Sequence, residues 1–332
     1  MGNAIAVVGS GSWGTAIAHL LSAERERDVV LWSYKKEESE ALMRDRENKE
    51  FLPGVMLNDR VSFTWDISCV ADKELVVLVS PSHTIRTIAR SMKPYVKVGT
   101  VVVILSKGIE VDTCKTLSEI VAEEIPQCRV AVMSGPSHAE EVSRGIPTAN
   151  VAASEDMDAA RLVQDTFMCQ NFRIYTSTDV LGVEVGGALK NVIALCAGVV
   201  DGIGFGDNTK AALMTRGIAE IARLGAKMGA QPQTFYGLSG IGDLIVTCTS
   251  MHSRNRRAGI LIGQGNSLDD TLRQVHMVVE GVITCKAAHR LAERYNVEMP
   301  IVEQAHRVLY EGKNPREAVV ELMMRDKKGE IL

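Results

Sequence analysis

An α/β doubly wound sheet followed by an all-helical domain is the fold the sequence predicts. Three observations predict it. Short β-branched runs alternate with helical patterns up to about residue 178, and beyond that point every long periodic segment has helical spacing. A glycine-rich turn, Gly9-Ser10-Gly11-Ser12-Trp13-Gly14, separates the first apolar run from the first helical one. With 332 residues the chain has room for two cores. The boundary is therefore placed between 1–178 and 179–332.

The runs at 4–8, 29–32, 75–79, 100–105, 129–133, 149–152 and 172–175 read as strands. Several are apolar at every position, as expected where helices cover both faces of a parallel sheet. Helical spacing at 15–22, 85–92 and 117–124 supplies the crossovers, which are right-handed in such sheets. In the second half, 207–228, 281–295, 301–310 and 316–324 carry helical patterns. The tail 325–330 is a charged run, read as solvated.

Composition excludes several classes. Apolar residues make up 46% and charged ones 23%, the balance of a globular chain and not of a disordered one. Lys plus Arg is 37 against 41 for Asp plus Glu, so no global positive field exists to hold a nucleic acid. No basic n-region with a long apolar core opens the chain, and Met1-Gly2 lacks the Ser or Thr a myristoyl signal needs at position 6. The longest apolar stretches, at 192–200 and 75–79, fall far short of the roughly 20 residues of a membrane span. Seven scattered cysteines with no C-x-x-C favour neither disulfides nor a metal site. A cytoplasmic location is the expectation.

Gly9, Gly11 and Gly14 stand as G-x-G-x-x-G directly after a strand and before a helix. In that context the first glycine makes the tight turn, the second lets backbone approach a pyrophosphate, and the third lets helix pack on strand. A Rossmann-type dinucleotide site follows. The second strand ends in Ser33-Tyr34-Lys35-Lys36 with no acid until Glu37, so nothing repels a 2′-phosphate. NADP or NAD is accommodated, with NADP expected to be favoured. The same two lysines also read as an ordinary solvated turn.

Lys190 lies in a long, nearly uncharged helical stretch, Gly187-Ala188-Leu189-Lys190-Asn191-Val192. A lysine buried there without a partner is costly, and its ammonium is disfavoured, so it can trade a proton near neutral pH. A snorkelling lysine at a helix end is the competing reading. Ser253 reads as a cap for a helix over 254–262, a commonplace helix start that singles out no site by itself. Asp243 and Thr247, four apart, share a face if that segment is helical.

With these residues in view, the chain resembles the bacterial NAD(P)-dependent sn-glycerol-3-phosphate dehydrogenases along its full length. The likeness rests on Gly9–Gly14, Leu105-Ser106-Lys107-Gly108-Ile109, Ser134-Gly135-Pro136-Ser137-His138-Ala139, and the run from Gly187 to Asn208. Gly240-Ile241-Gly242-Asp243-Leu244, Ser253-Arg254-Asn255 and Val278-Val279-Glu280-Gly281 complete it. The resemblance implies cofactor contacts at Ser12, Trp13, Tyr34, Lys107, Ala139, Arg254, Val278 and Glu280. Tyr34 departs from the His or Arg often found there. It implies substrate contacts at Lys107, Gly135, Ser137, Lys190, Asp243, Ser253, Arg254 and Asn255. Lys190 is implied as the proton-transfer group, with Lys107 and Asp243 beside it in catalysis.

The implied reaction is hydride transfer between glycerol 3-phosphate and NAD(P), giving dihydroxyacetone phosphate, in service of phospholipid biosynthesis. The implied partner is that small molecule, with no nucleic acid and no membrane segment; a homodimer is expected. Two other readings compete: a related dehydrogenase of another hydroxy acid or phosphosugar, and an inert cofactor-sensing protein. No histidine or cysteine spacing calls for a catalytic metal.

Overall fold

The computed structural model describes residues 4–327 and 329–330. The Met1-Gly2 pair weighed against a myristoyl signal and Lys328 of the charged tail lie outside them. The rest of that tail is exposed.

The N-terminal part runs β1 (Ile5–Val8), α1 (Ser12–Ala23), β2 (Val29–Trp32), α2 (Lys36–Asp45), β3 (Glu47–Asn48), β4 (Leu52–Met56), β5 (Val61–Thr64) and β6 (Leu75–Leu78). It continues with α3 (Ile85–Met92), β7 (Val101–Ile104), α4 (Leu117–Glu124), β8 (Arg129–Ser134), α5 (Ala139–Val142), β9 (Thr148–Ala153), α6 (Met157–Phe167) and β10 (Phe172–Ser177). One eight-stranded sheet has the order β10-β9-β8-β7-β6-β1-β2-β5, and β3 and β4 form a separate hairpin.

The doubly wound architecture follows from how the strands divide their side chains. Ile5 and Val7 of β1, Val77 of β6 and Val103 of β7 face Ile17 and Leu21 of α1 and Phe167 of α6. Their neighbours Ala6, Val8, Val76, Leu78 and Val102 face Ile85 and Met92 of α3 and Ile120 of α4. Each residue in these strands is buried whichever way it points, which is why the sequence shows unbroken apolar runs. Each fully buried Val, Leu or Ile contributes about 1.5–3 kcal/mol.

Two features depart from the sequence reading. Strands β3, β4 and β5 were not expected. Pro53 and Gly54 interrupt β4, and β5 is a four-residue edge strand of alternating burial, so neither reads as an apolar run. The sheet is also not wholly parallel, for β9 pairs antiparallel to β8, with Met133 opposite Ala152. The short connection 135–147 carries only the four-residue α5, too little for the helical crossover that a parallel neighbour needs. The chain turns back instead.

The C-terminal part is helical: α7 (Val180–Ile203), α8 (Asp207–Met228), α9 (Asp243–Thr249), α10 (Arg254–Gly263), α11 (Leu268–Val275), α12 (Glu280–Tyr295), α13 (Pro300–Tyr310) and α14 (Pro315–Met323). Helix α7 corrects the statement about apolar length. Its 24 residues are long and apolar enough to cross a membrane by composition, with mean hydropathy 1.6, yet 89% of that window is buried within the protein. It is the axis of the helical core, packed by α8, α10 and α12. Gly198 and Gly202 of α7 meet Gly259 and Gly263 of α10 so closely that a Cβ at any of them would overlap facing backbone. This contact sets the start of α10 beside the middle of α7.

Candidate active site

In the glycine turn after β1 the tight turn falls at Gly9 and the close approach at Gly14. Gly9 has φ +124°, and a Cβ on Gly14 would overlap the Gly9 carbonyl oxygen. Gly11 caps α1 with no side chain of its own, and a Cβ there would meet nothing within 4 Å. The backbone is thus exposed where a phosphate would approach, at the positive end of a 12-residue helix. Asn48, which sequence reasoning missed, braces this turn: its Nδ2 donates to the Ser10 carbonyl at 2.7 Å and to Thr15 Oγ1 at 2.8 Å. Trp13 and Ala139 pack in one cluster with Leu52 and Val55. The β3–β4 hairpin is therefore the outer wall of the cradle.

At the end of β2, Ser33 is buried and its hydroxyl has no hydrogen-bond partner. Tyr34 is 77% exposed and meets only the edge of Trp32, with ring centroids 6.2 Å apart. Lys35 pairs with Glu38 at 3.3 Å and Lys36 with Glu40 at 3.5 Å, both one turn along α2. Lys36 also lies over the Trp65 ring. These are exposed intrahelical pairs of small energy, so either lysine is released cheaply to an incoming anion.

Asp243 is the centre of the charged cluster. It opens α9 after a π-helical turn over Leu238–Gly242 and is buried. Lys107, following β7, reaches Asp243 Oδ2 at 2.5 Å and donates to the Gly135 carbonyl at 3.0 Å. Lys190, from the middle of α7, reaches Asp243 Oδ1 at 2.9 Å and donates to Thr247 Oγ1 at 2.6 Å. Thr247 in turn donates to the Asp243 backbone carbonyl at 2.6 Å, one helical turn apart as its spacing predicts.

Two ammonium groups thus share one carboxylate. Burial would raise the Asp243 carboxyl, but Lys107 and Lys190 together hold it below its usual value. Burial pushes Lys190 down to about 8; Asp243 opposes that shift and Lys107 adds to it. A lysine held that low can exchange a proton in the neutral to mildly alkaline range.

The flanks of this cluster complete the site. Gly135 sits at φ +152°, where a Cβ would overlap Asn150 Oδ1, and its carbonyl also accepts from Ser137 Oγ at 3.0 Å. Ser253 caps α10, its Oγ accepting from Arg256 N–H at 3.2 Å. Arg254, the next residue, is half-buried, and its guanidinium forms no hydrogen bond or ion pair among the described residues. Burial lowers its guanidinium, and Glu280 and Glu140 pull it back up. An unpaired guanidinium beside the free N–H groups of a helix start has the chemistry to receive an anion.

Asn255 is placed otherwise. Its side chain is engaged inside the protein, Oδ1 accepting from Gly281 N–H at 2.8 Å and Nδ2 donating to Asn191 Oδ1 at 2.9 Å. It ties α7, α10 and α12 together through Asn191, the neighbour of Lys190 in sequence, so its side chain is not free for a ligand. Glu280 accepts from Ser82 N–H at 3.0 Å and from Ser82 Oγ at 2.5 Å, and Val278, two residues before it, is half-buried. Ser82 follows β6, so this contact joins the helical part to the sheet; Tyr34, by contrast, is exposed at the end of β2.

Comparison with known proteins supplies independent findings. The family model for the N-terminus of NAD-dependent glycerol-3-phosphate dehydrogenase matches residues 4–160, and that for the C-terminus matches residues 179–320. A glycerol-3-phosphate dehydrogenase of Pelotomaculum thermopropionicum that uses NAD(P)+ is 55% identical, covering 100% of this chain and 96% of its own. The crystal structure of a glycerol-3-phosphate dehydrogenase from Coxiella burnetii superposes with a TM-score of 0.94 at 35% identity, over 97% of this chain and 99% of that one. A ketopantoate reductase from Ralstonia eutropha, 15% identical with a TM-score of 0.63 over 95% of this chain and 99% of its own, shares the fold alone.

Proposed function

Because this chain belongs to the NAD-dependent glycerol-3-phosphate dehydrogenase family, we propose that its Lys107–Asp243–Lys190 cluster carries the proton transfer of that family's reaction. The chain is an NAD(P)-dependent oxidoreductase that interconverts sn-glycerol 3-phosphate and dihydroxyacetone phosphate. The observation that supports the assignment is the buried Asp243 carboxylate shared by two lysines.

The residues at hand fit a dinucleotide. The open backbone at Gly11, with Ser12, Trp13 and Gly14 beginning α1, would hold the pyrophosphate; Ala139, Val278 and Glu280 would border the cofactor further along. Tyr34 and the Lys35-Lys36 pair would meet the adenosine end, the basis for a preference for NADPH. When bound, NADPH or NADH supplies the hydride that reduces the carbonyl carbon.

This chain's own groups do the rest. As the carbonyl oxygen gains negative charge, the Lys190 ammonium gives it a proton, and Lys107 stabilises the same charge. Asp243 holds both lysines in place, and Thr247 fixes the direction of the Lys190 Nζ. Arg254 takes the phosphate together with the backbone at Ser253 and Asn255, while Gly135 and Ser137 line the opposite side. In this reading 1–178 is the dinucleotide-binding domain and 179–332 the helical domain that takes the substrate's anion, with Val278 and Glu280 of the latter reaching the cofactor; β10 ending at Ser177 and α7 beginning at Val180 support that boundary. We include a homodimer in the proposal, for which exposed Val320 and Met323 on α14, with Met324 just after it, offer an apolar face. A cytoplasmic setting agrees with seven unpaired cysteines.

The test follows NADPH absorbance after addition of dihydroxyacetone phosphate to the parent and to Lys190→Ala. Oxidation by the parent and its loss in the variant support the assignment. Retained turnover in the variant removes Lys190 from the chemistry.

A further inference from the structure

Asp201 and Arg256 take no part in the proton transfer or the phosphate contacts described above, yet they join the three helices that carry those groups. Arg256, in the first turn of α10, reaches back across the segment that links α9 to α10. Its Nε and Nη2 each lie 2.8 Å from Asp201 Oδ2, near the end of α7, and its Nη1 donates to the carbonyl of Thr249, the last residue of α9, at 2.6 Å. Its backbone N–H donates to the Oγ of Ser253, the cap of α10. The other oxygen, Asp201 Oδ1, pairs with Lys210 Nζ of α8 at 2.6 Å.

The linking segment is held by short-range bonds of its own. His252 N–H donates to Ser250 Oγ at 3.1 Å and Ser253 N–H to the Ser250 carbonyl at 3.3 Å, while Met251 between them is exposed. On one side of this segment α9 carries Asp243 and Thr247, the partners of Lys190. On the other, α10 begins with Arg254. A single guanidinium therefore spans the gap between the proton donor's supports and the anion cradle, anchored on α7, the helix that bears Lys190 itself. The backbone is fixed at the same place, for a Cβ on Gly198 of α7 would overlap the Arg256 carbonyl oxygen.

Charge does not account for Asp201. A carboxylate held this close to the start of α10 repels a phosphate there, and a partly buried ion network is weak evidence of net stability. What the network supplies is geometry, because the planar guanidinium fork binds its acceptors in fixed directions. Geometry matters to this substrate. In dihydroxyacetone phosphate one methylene and one oxygen separate the carbonyl carbon from phosphorus, so seating the phosphate confines the carbonyl to a narrow range.

We propose that Asp201 and Arg256 are positioning residues that hold the phosphate cradle at the distance from Lys190 that a three-carbon phosphate ester spans. The inference rests on the start of α10 taking the phosphate. When the anchor is lost the phosphate still binds, but the carbonyl oxygen no longer meets the Lys190 Nζ, and a displacement of about 1 Å can lower a rate about 10²-fold. Binding energy from the remote phosphate then stops reaching the carbonyl.

The experiment uses the whole enzyme with NADPH, in the parent and Asp201→Asn, and compares dihydroxyacetone phosphate with dihydroxyacetone, which lacks the phosphate. Inorganic phosphate, as a competitive inhibitor, reads the cradle alone. In Asp201→Asn the expected kcat for dihydroxyacetone phosphate is lower by about 10–10²-fold, with its KM and the inhibition constant of phosphate within about twofold of the parent. The kcat/KM for dihydroxyacetone stays within about twofold, which a general loss of structure would not allow. If Asp201→Asn does not fold by its melting curve, Arg256→Lys, which keeps the charge and loses the fork, takes its place with the same expectations.

Equal losses on both ketones overturn the proposal, as does an unchanged kcat for dihydroxyacetone phosphate. Tighter phosphate inhibition with kcat retained overturns it too, since Asp201 would then act by its charge. Arg254→Ala separates this inference from the reading beneath it. If that variant keeps the parent's preference for dihydroxyacetone phosphate over dihydroxyacetone, the phosphate assignment itself fails; if it loses the preference while Asp201→Asn keeps it, the spacing role alone fails.

Discussion

The glycine cradle after β1 and the lysine–aspartate cluster beside α7 reach their function by opposite means. The cradle is local and steric: six consecutive residues decide it, and its decisive facts are the positive φ at Gly9 and the absence of room at Gly14. The cluster is non-local and electrostatic. Lys107, Lys190 and Asp243 come from three distant parts of the chain and act only once the fold has buried them together. A site of the first kind fails when one atom is added; a site of the second fails when one charge is removed. The substitutions that separate them follow in order of effect.

Removing the charge should cost most. Lys190→Ala is expected to lower kcat by about 10²–10⁴-fold, the range for a lost acid–base group, while NADPH binding measured by fluorescence stays near that of the parent. Adding an atom comes next. Gly14→Ala is expected to destabilise by about 1–3 kcal/mol, as overpacking does, seen as a lower melting temperature and a raised KM for NADPH. Normal cofactor binding in that variant would break the steric half of the comparison. Arg254→Ala should raise KM for dihydroxyacetone phosphate roughly tenfold to a hundredfold, from loss of about 1.5–3 kcal/mol of charge-assisted bonding, with a smaller change in kcat. An unchanged KM would place the phosphate elsewhere.

The smallest effect belongs to Lys35 and Lys36. Each is exposed and already paired along its own helix. Replacing both by Ala should reduce kcat/KM for NADPH by about a fewfold and leave that for NADH unmoved, the scale of exposed ion pairs. Equal losses for both cofactors would show that these lysines do not distinguish them.

What could be read from the sequence divides along the same line. Strand β1, the glycine turn and α1 are contiguous, so residue order displays their geometry, and the apolar runs of β6 and β7 announce a sheet covered on both faces. The antiparallel turn into β9 and the hairpin of β3 and β4 depend on connection length and on Pro53 and Gly54, which leave no apolar pattern. The Lys107–Asp243 contact spans 136 residues, and no spacing rule reaches that far. Only the family resemblance pointed to it. Asn48 and Ser82 were missed because a single polar residue at a strand or loop end looks ordinary until its partners Ser10 and Glu280 are seen. The pairing of Lys35 and Lys36 with Glu38 and Glu40 was not read from the sequence, where the two lysines stood as a solvated turn and helix α2 was not anticipated.

The central claim is that Lys190 exchanges the proton with the substrate oxygen, and pH dependence tests it most directly. A donor must be protonated and an acceptor must not. With Lys190 lowered to about 8, kcat/KM for reducing dihydroxyacetone phosphate should fall as pH rises through about 8, and that for oxidising glycerol 3-phosphate should rise through the same region. Asp243→Asn removes the carboxylate that raises the amine, so in its residual activity both limbs should move to lower pH. Reduction and oxidation profiles that stay flat through this region, or limbs that do not move in Asp243→Asn, would contradict the account.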